Sequence, residues 1–158
     1  MLFRSEQFLY NEGEKVYSRK VVMSTNVAES SLTIDGIVYV IDSGKALVSS
    51  YYPEENARAL ISERISKASA NQRKGRAGRT QDGFCYRMYT EEEFNQFPDN
   101  PIPDIQKTDI TTHVLDIFTM ADINNVKDVR FMLSNLLSPP EERFIENALS
   151  KLYILNAI

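Results

Sequence analysis

Two short, uninterrupted β-branched runs, Lys20-Val21-Val22-Met23-Ser24 and Gly36-Ile37-Val38-Tyr39-Val40-Ile41-Asp42, constrain the fold more than any other feature of the sequence. A strand with one wet face alternates apolar and polar residues. A continuous apolar run is instead the pattern of a strand covered on both faces, as in the parallel sheet of an α/β protein. Between the runs lies a loop, residues 25–35, dense in hydroxyls and amides. In open α/β sheets ligands bind outside the carboxyl ends of the strands. This loop leaves the carboxyl end of the first run, so it reads either as a ligand contact or as an ordinary polar connection.

Further along, Gln72-Arg73-Lys74-Gly75-Arg76-Ala77-Gly78-Arg79 packs four basic side chains into eight residues of a protein whose net charge is −4. Read as a helix, Gln72, Arg76 and Arg79 fall at i, i+4 and i+7 on one narrow stripe, and Arg73 and Lys74 point elsewhere. An amide and two guanidinium groups on one face suit a bound polyphosphate with a water in line for attack. The planar guanidinium fork matches phosphate oxygens and stays charged. Gly75 and Gly78 each cost a helix about 1 kcal/mol against alanine, which points to a backbone or ligand coming close. Residues 64–79 hold six basic side chains and no acidic one, whereas a merely solvated helix face mixes signs.

Residues 3–10 read as a short amphipathic helix, with Phe3, Gln7, Phe8 and Tyr10 near helical spacing. Residues 46–52 and 57–61 flank the turn-rich Pro53-Glu54-Glu55-Asn56 and predict a β-hairpin or a strand and extended arm. The basic helix is expected to start near Ser69 and to close at Thr80-Gln81-Asp82-Gly83, with residues 84–89 returning as a strand. In such a fold the polar loop and the basic helix converge at one edge. From Thr90 the character changes. Glu91-Glu92-Glu93 and residues 97–103 read as a surface connection. A helix from about Thr108 carries Ile110, Val114, Ile117, Phe118 and Ala121. A last helix opens at Pro139-Pro140-Glu141-Glu142 and puts Phe144, Ile145, Ala148, Leu149 and Leu152 on one side. His113 lies off the stripe of the helix from Thr108, with no partner at metal-ligand spacing, so it reads as a surface residue.

Composition narrows the function classes. No apolar run approaches the ~20 residues of a membrane span, and the N-terminus lacks a signal peptide's apolar region. The lone cysteine, Cys85, allows no internal disulfide. It sits in an aromatic-rich strand-like run, as a structural thiol does, and fits a reducing, intracellular setting. With 18 basic against 22 acidic residues, the whole molecule is not a generic polyanion binder, so any nucleic-acid or nucleotide contact is local.

Three segments, in this order, carry a resemblance: Ser24-Thr25-Asn26-Val27-Ala28-Glu29-Ser30-Ser31-Leu32-Thr33-Ile34, then Val40-Ile41-Asp42-Ser43-Gly44, then Ile65-Ser66-Lys67-Ala68-Ser69-Ala70-Asn71 running into the basic octapeptide. They resemble the DEAH-box ATP-dependent RNA helicases of the pre-mRNA-splicing and ribosome-biogenesis type, the octapeptide matching motif VI and the Ser-Thr-Asn loop motif V. The resemblance implies an α/β fold. Residues 1–90 would be a partial second RecA-like (P-loop NTPase-type) domain with a parallel sheet and a β-hairpin. Residues 91–158 would be a mostly helical connector and the beginning of a winged-helix region.

The same resemblance implies ATP as substrate in a cleft between two RecA-like domains, Mg²⁺ held by the first of them, and RNA as partner. Carried over by position, Arg76 and Arg79 are arginine fingers on the β- and γ-phosphates, worth about 10³ to 10⁵ in rate. Gln72 orients the γ-phosphate and the attacking water, Gly75 lies against the nucleotide, and Thr33 and Asp35 face its ribose. Thr25 and Asn26 hold RNA phosphate oxygens, and the hairpin separates strands or directs RNA. G-patch-type activators, spliceosomal or pre-ribosomal proteins, mRNA splicing and a nuclear location, also cytoplasmic, are implied in the same way, with no membrane.

The departures are as informative. Such a helicase needs a Gly-rich P-loop with Lys-Ser/Thr and an acidic Asp-Glu pair for Mg²⁺, and these 158 residues contain neither. Gly44-Lys45-Ala46 lacks both the earlier glycine and the hydroxyl after the lysine. Ser30 stands where the family has threonine, and the segment around Lys107 matches the family's Pro-Glu-Ile-x-Arg only loosely. The expectation is therefore half of a catalytic site, inactive as an ATPase by itself, without the domain's first strand and most of the family's C-terminal region. The alternative is a non-catalytic helicase remnant acting as an RNA- or protein-binding module. An unrelated dinucleotide-binding protein is disfavoured by the lack of Gly-x-Gly-x-x-Gly after the first run.

Overall fold

The two β-branched runs form strands β4 (Lys20–Met23) and β5 (Ile37–Asp42), but they are not neighbours. Strand β1 (Leu2–Ser5) lies between them, antiparallel to both, and β8 (Phe84–Arg87) adds to β5 in parallel, giving the order β4-β1-β5-β8. The sheet is thus mixed, with one parallel pair. The structure, a computed structural model, describes residues 2–5, 9–11, 14–17, 20–30, 34–79, 81–123 and 125–158, those up to Lys20 by backbone alone. The helix expected over residues 3–10 is corrected: Leu2–Ser5 is a strand, and β2 (Leu9–Asn11) pairs antiparallel with β3 (Glu14–Tyr17). Residues 6–8 of that expectation lie outside the described residues. The edges of β4 and β5 present unpaired amides and carbonyls. Satisfying both through β1 outweighs the weak propensity of a short helix.

The chain divides into two compact units, Met1–Val48 with Ser62–Pro101, and Ser49–Ile61 with Ile102–Ile158. In the first, register sets Val22, Phe3, Val40 and Cys85 in one row across the sheet. On that face Val40 and Ile37 form a core with Ala28 and Ala77, and Val22, Ile34 and Cys85 pack against it. Ala28 comes from α1 (Val27–Ser30); Ala77 comes from the 3₁₀ turn Gly75–Gly78 that continues α2 (Lys67–Lys74). Their small side chains let both helical segments approach the sheet. On the other face Tyr39 stacks with Phe84 and Tyr86, at centroid distances of 5.7 and 6.4 Å, and Phe84 and Tyr86 remain more than half exposed. Among the described residues one face is covered, where the apolar runs predicted two. Cys85 is half-buried, and burial followed by the Asp42 carboxylate pushes its thiol pKa up, as suits a structural thiol.

Strand β8 is entered through Gly83, where a Cβ would stand 1.7 Å from the Ala77 carbonyl oxygen and 2.8 Å from that of Val38. No side chain fits there. The acidic run expected as a surface connection instead opens α3 (Glu91–Asn95), with Thr90 and Glu93 forming a reciprocal capping box. Just beyond it, Phe97 is buried with Ile65 and Ala70.

Strands β6 (Lys45–Tyr52) and β7 (Ala57–Arg64) form the hairpin expected around Pro53–Asn56, and Asn56 takes the positive φ of 48° that its turn needs. The second unit otherwise consists of α4 (Thr111–Phe118), α5 (Val126–Ser134) and α6 (Glu142–Ile154). Ile110, Val114 and Ile117 meet Phe144, Ile145, Ala148 and Leu152 in one core with Val129, Leu133 and Tyr51. Helix α4 starts three residues later than the sequence suggested, because Asp109 Oδ1 takes the Thr111 amide at 3.0 Å and its hydroxyl at 2.6 Å. The helix ends at Phe118, so the expected stripe stops before Ala121, which is exposed. His113 is exposed too.

Tyr51 supplies the polar centre of this unit. Its hydroxyl lies 2.6 Å from Asn147 Oδ1 and 2.9 Å from Asn56 Oδ1, and Lys151 Nζ donates to it at 2.6 Å. Lys151 also pairs with Asp109 at 3.0 Å.

Candidate functional site

Helix α2 starts at Lys67 rather than near Ser69. Ser66 is its N-cap, accepting the Ser69 amide at 3.1 Å, and the Lys67 and Ala68 amides donate to the Pro98 and Asp99 carbonyls. Ser66, Ala70, Arg73 and Ala77 are all buried. That i, i+4, i+7, i+11 stripe faces inward, and an arginine sits in the middle of it.

Arg73 is 1% exposed and is held by three segments. Its Nη1 donates to Asp42 Oδ1 at 2.7 Å and to the Lys45 carbonyl at 3.1 Å, and its Nε donates to Glu29 Oε2 at 3.0 Å. Asp42, itself fully buried, also accepts the Gly44 amide at 3.0 Å and the Tyr89 hydroxyl at 2.9 Å. Burial and this donation to Asp42 push the Tyr89 phenol pKa well up, so it remains a donor. Gly44 has φ 72°, and a Cβ there would strike the Tyr89 ring at 2.6 Å. The end of β5, the start of β6, α1 and α2 thus meet on one guanidinium.

The stripe singled out from the sequence lies beside this buried one. Gln72 and Arg79 are exposed and Arg76 is half-buried. At Gly75 the α-helix tightens to a 3₁₀ turn, which has three residues per turn and so keeps Arg76 and Arg79 on one side. Their charges act on each other: burial, and then Arg79, lower the Arg76 pKa, opposed by Glu29. Arg76 Nη2 donates to the Glu29 carbonyl oxygen. Two like charges held on one side favour an anion between them. At Gly75 and Gly78 a Cβ would meet nothing within 4 Å. Among the described residues no backbone approach explains these glycines.

Thr25 and Asn26 are exposed and precede α1, where their carbonyls accept the Ala28 and Glu29 amides at 3.4 and 2.9 Å. With Ser24 they line a cleft of about 210 Å³ whose other walls are Lys45, Ala46, Leu47, Ser62 and Arg73. Asp35 is an exposed turn residue with no described link to the arginines, and Thr33 lies outside the described residues. The polar loop and the basic helix, expected to converge at one edge, meet at Glu29, which accepts Arg73 and Arg76. Glu29, Asp42, Lys45 and Ser62 were not legible as site residues, and Arg73 read only as pointing away. A signal for Arg73 existed: it falls at helical spacing between Ala70 and Ala77.

The Gln72 amide and the Arg76 and Arg79 guanidinium groups are of a chemistry that fits a polyphosphate. They do not fit a metal, and among the described residues no group of three or more His, Cys, Asp or Glu side chains is placed to hold one.

The mouse ATP-dependent RNA helicase DHX33 is 40% identical over 154 residues, covering 98% of this chain and 21% of that protein. The Arabidopsis thaliana DExH-box ATP-dependent RNA helicase DExH1 is 41% identical over 140 residues, covering 89% of this chain and 14% of that protein. The crystal structure of the Escherichia coli DEAH/RHA helicase HrpB superposes with a TM-score of 0.72 at 28% identity, over 85% of this chain and 16% of that one. No family model matches the chain. The chain belongs to the DEAH/DExH-box helicases, and it spans about a fifth of the length of the curated relatives it matches.

Proposed function

We propose that this segment is the second-domain half-site of an ATP-dependent RNA helicase, coupling ATP hydrolysis to movement along RNA. The observation that carries the reading is that Arg76 lies in the 3₁₀ turn Gly75–Gly78 and Arg79 caps it, with Gln72 exposed on the helix before it. In this role Arg76 and Arg79 stabilise charge on the β- and γ-phosphates. Gln72 orients the γ-phosphate and the attacking water, and the bare backbone at Gly75 leaves room for the nucleotide. Thr33 and Asp35 face the ribose; Thr25 and Asn26 fix RNA phosphate oxygens with short neutral donors, which position a strand without base readout. Mg²⁺, held by the first domain, would neutralise the phosphates. Residues 1–90 are then part of the second RecA-like domain, and 91–158 the connector and the start of a winged-helix region. Splicing or pre-ribosomal partners, G-patch-type activators and a nuclear location belong to this same reading.

The test is a chimera in which this chain replaces the matching span of the mouse relative. RNA-stimulated ATP turnover is expected, and Arg79→Ala should lower it by about 10³-fold or more. Turnover indifferent to Arg79→Ala overturns the finger assignment. Arg79-dependent turnover by the 158-residue chain alone overturns the half-site. If the chimera binds oligo-uridylate through Thr25 and Asn26 but never hydrolyses ATP, the non-catalytic module replaces the present reading.

A further inference from the structure

The cleft beside Thr25 and Asn26 has a wall whose chemistry the half-site reading leaves unassigned. Strand β6 opens with Lys45, and residues two apart on a strand share a face, so Lys45 and Leu47 stand together, both exposed. They line the cleft of about 210 Å³ with Ser24, Thr25, Asn26 and Ser62, whereas Gln72, Arg76 and Arg79 do not line it. Two cations reach this cleft, and they differ. Arg73 is 1% exposed, with its guanidinium committed to Asp42, Glu29 and the Lys45 carbonyl. The Lys45 ammonium makes no ion pair or hydrogen bond among the described residues. Its backbone is held by Arg73 while its charge stays available. In a chain of net charge −4, an unpaired ammonium ringed by short hydroxyl and amide groups, with an apolar side chain beside it, is more than a solvated lysine. The set suits a sugar–phosphate strand: a point charge for the phosphate, neutral donors for its other oxygens, and an apolar contact for the sugar.

We infer that Lys45 is a further RNA-binding residue, which holds a backbone phosphate in this cleft and supplies the cleft's salt-dependent share of the affinity. This rests on the half-site reading above and goes beyond its Thr25 and Asn26 contacts. The two kinds of contact differ in their physics. A neutral donor fixes an oxygen and releases no counterion. An ammonium neutralises a phosphate and sets free a condensed cation, which adds about 0.7 to the steepness of log K against log salt for a single strand. The loss of Lys45 therefore has a signature of its own: over a tenfold rise in salt, the penalty should shrink by about fivefold.

The experiment measures the dissociation constant of the chimera for oligo-uridylate across a salt series. Lys45→Met should weaken binding by about fivefold or more at the lowest salt and flatten the slope by about 0.7. Lys45→Arg keeps the charge and should keep the slope. Thr25→Val should weaken binding by a factor that salt does not change, since it removes a neutral donor. The KM for ATP should stay within about twofold in the Lys45 variants. An unchanged slope in Lys45→Met overturns the inference, and so does a loss of affinity equal at every salt concentration. A raised KM for ATP with RNA binding intact also overturns it, by making the cleft a nucleotide contact. Should Lys45→Met aggregate, Lys45→Gln decides the matter, since it must show the same flattened slope. A parent chimera that binds no oligo-uridylate sinks the half-site reading itself, which is a different outcome.

Discussion

Replacing Arg73 by methionine removes a cation from a place where water cannot substitute for it. Asp42 is fully buried and loses its only ion-pair partner among the described residues, keeping the Gly44 amide and the Tyr89 hydroxyl. Glu29, whose side chain is 13% exposed, can turn outward to water. The penalty therefore sits at Asp42. Removing one partner of a buried pair costs about 3–5 kcal/mol. The two donors left on Asp42 place the loss near the lower end, with the lost bond to the Lys45 carbonyl adding about 1 kcal/mol. Against a total stability of about 5–15 kcal/mol, that is a large share. The chain has no tryptophan, so urea unfolding is followed by far-UV circular dichroism, with hydrogen exchange at the β5 amides localising the change to the first unit. The midpoint should fall by roughly 1–2 M urea. Raising the salt should not alter the loss, because a pair this buried is barely screened. Adding Asp42→Asn should recover part of it by removing the stranded charge. A shift below about 0.3 M, or one that salt erases, would refute the claim that a buried ion pair anchors the site.

Two glycines should behave oppositely to alanine. Gly75→Ala should stabilise the isolated chain by about 0.5–1 kcal/mol by chemical denaturation, since its backbone is already helical and a Cβ meets nothing; in the chimera the same change should lower ATP turnover if the nucleotide lies against it. Gly83→Ala should destabilise by about 3 kcal/mol or more, or prevent folding, because its Cβ would overlap the Ala77 carbonyl. The Lys151–Asp109 pair predicts two pH limits for the second unit. For Asp109 burial acts upward, but the Thr111 and Lys151 hydrogen bonds outweigh it and hold the carboxyl pKa below its ordinary value; that contribution is full above the unfolded carboxyl value near ~4 and is lost as pH falls through the folded value. For Lys151 burial acts downward, but Tyr51 and Asp109 hold it above the ordinary amine value, so its contribution is full below ~10 and is lost as pH rises through the folded value. Lys151→Met should flatten the alkaline limb of a Tm-against-pH curve; an unchanged limb would reject the assignment.

What could be read from the sequence divides along a physical line. Patterns set by local spacing were legible: the hairpin around Pro53–Asn56, the α6 stripe, and the side of the basic helix that carries Gln72, Arg76 and Arg79. Features set by pairing between distant segments were not. β1 carries no local mark of standing between β4 and β5, because the demand it meets belongs to their edges. The α3 and α5 helices went unread although Thr90 with Glu93, and Asn125 accepting the Lys127 and Asp128 amides, are capping signals. Asp42 closes an apolar run and looks like a strand end; its role depends on a guanidinium 31 residues away in sequence.

The octapeptide assigns its arginines opposite tasks, and the change of helical period at Gly75 makes this possible. An uninterrupted α-helix advances about 100° per residue, so Arg79 would drift off the side of Arg76 by about 60°. A 3₁₀ turn returns to the same side after three residues, holding Arg76 and Arg79 together while Ala77 stays against the sheet. Upstream, the ordinary α-helical period puts Arg73 on the buried stripe with Ser66 and Ala70. One guanidinium is sealed among carboxylates, fixing the helix to the end of β5 and to α1. The other two keep clear of Asp42: Arg79 is exposed, and Arg76, half-buried, donates to the Glu29 carbonyl. Glu29 touches both kinds, Arg73 through its side chain and Arg76 through its backbone.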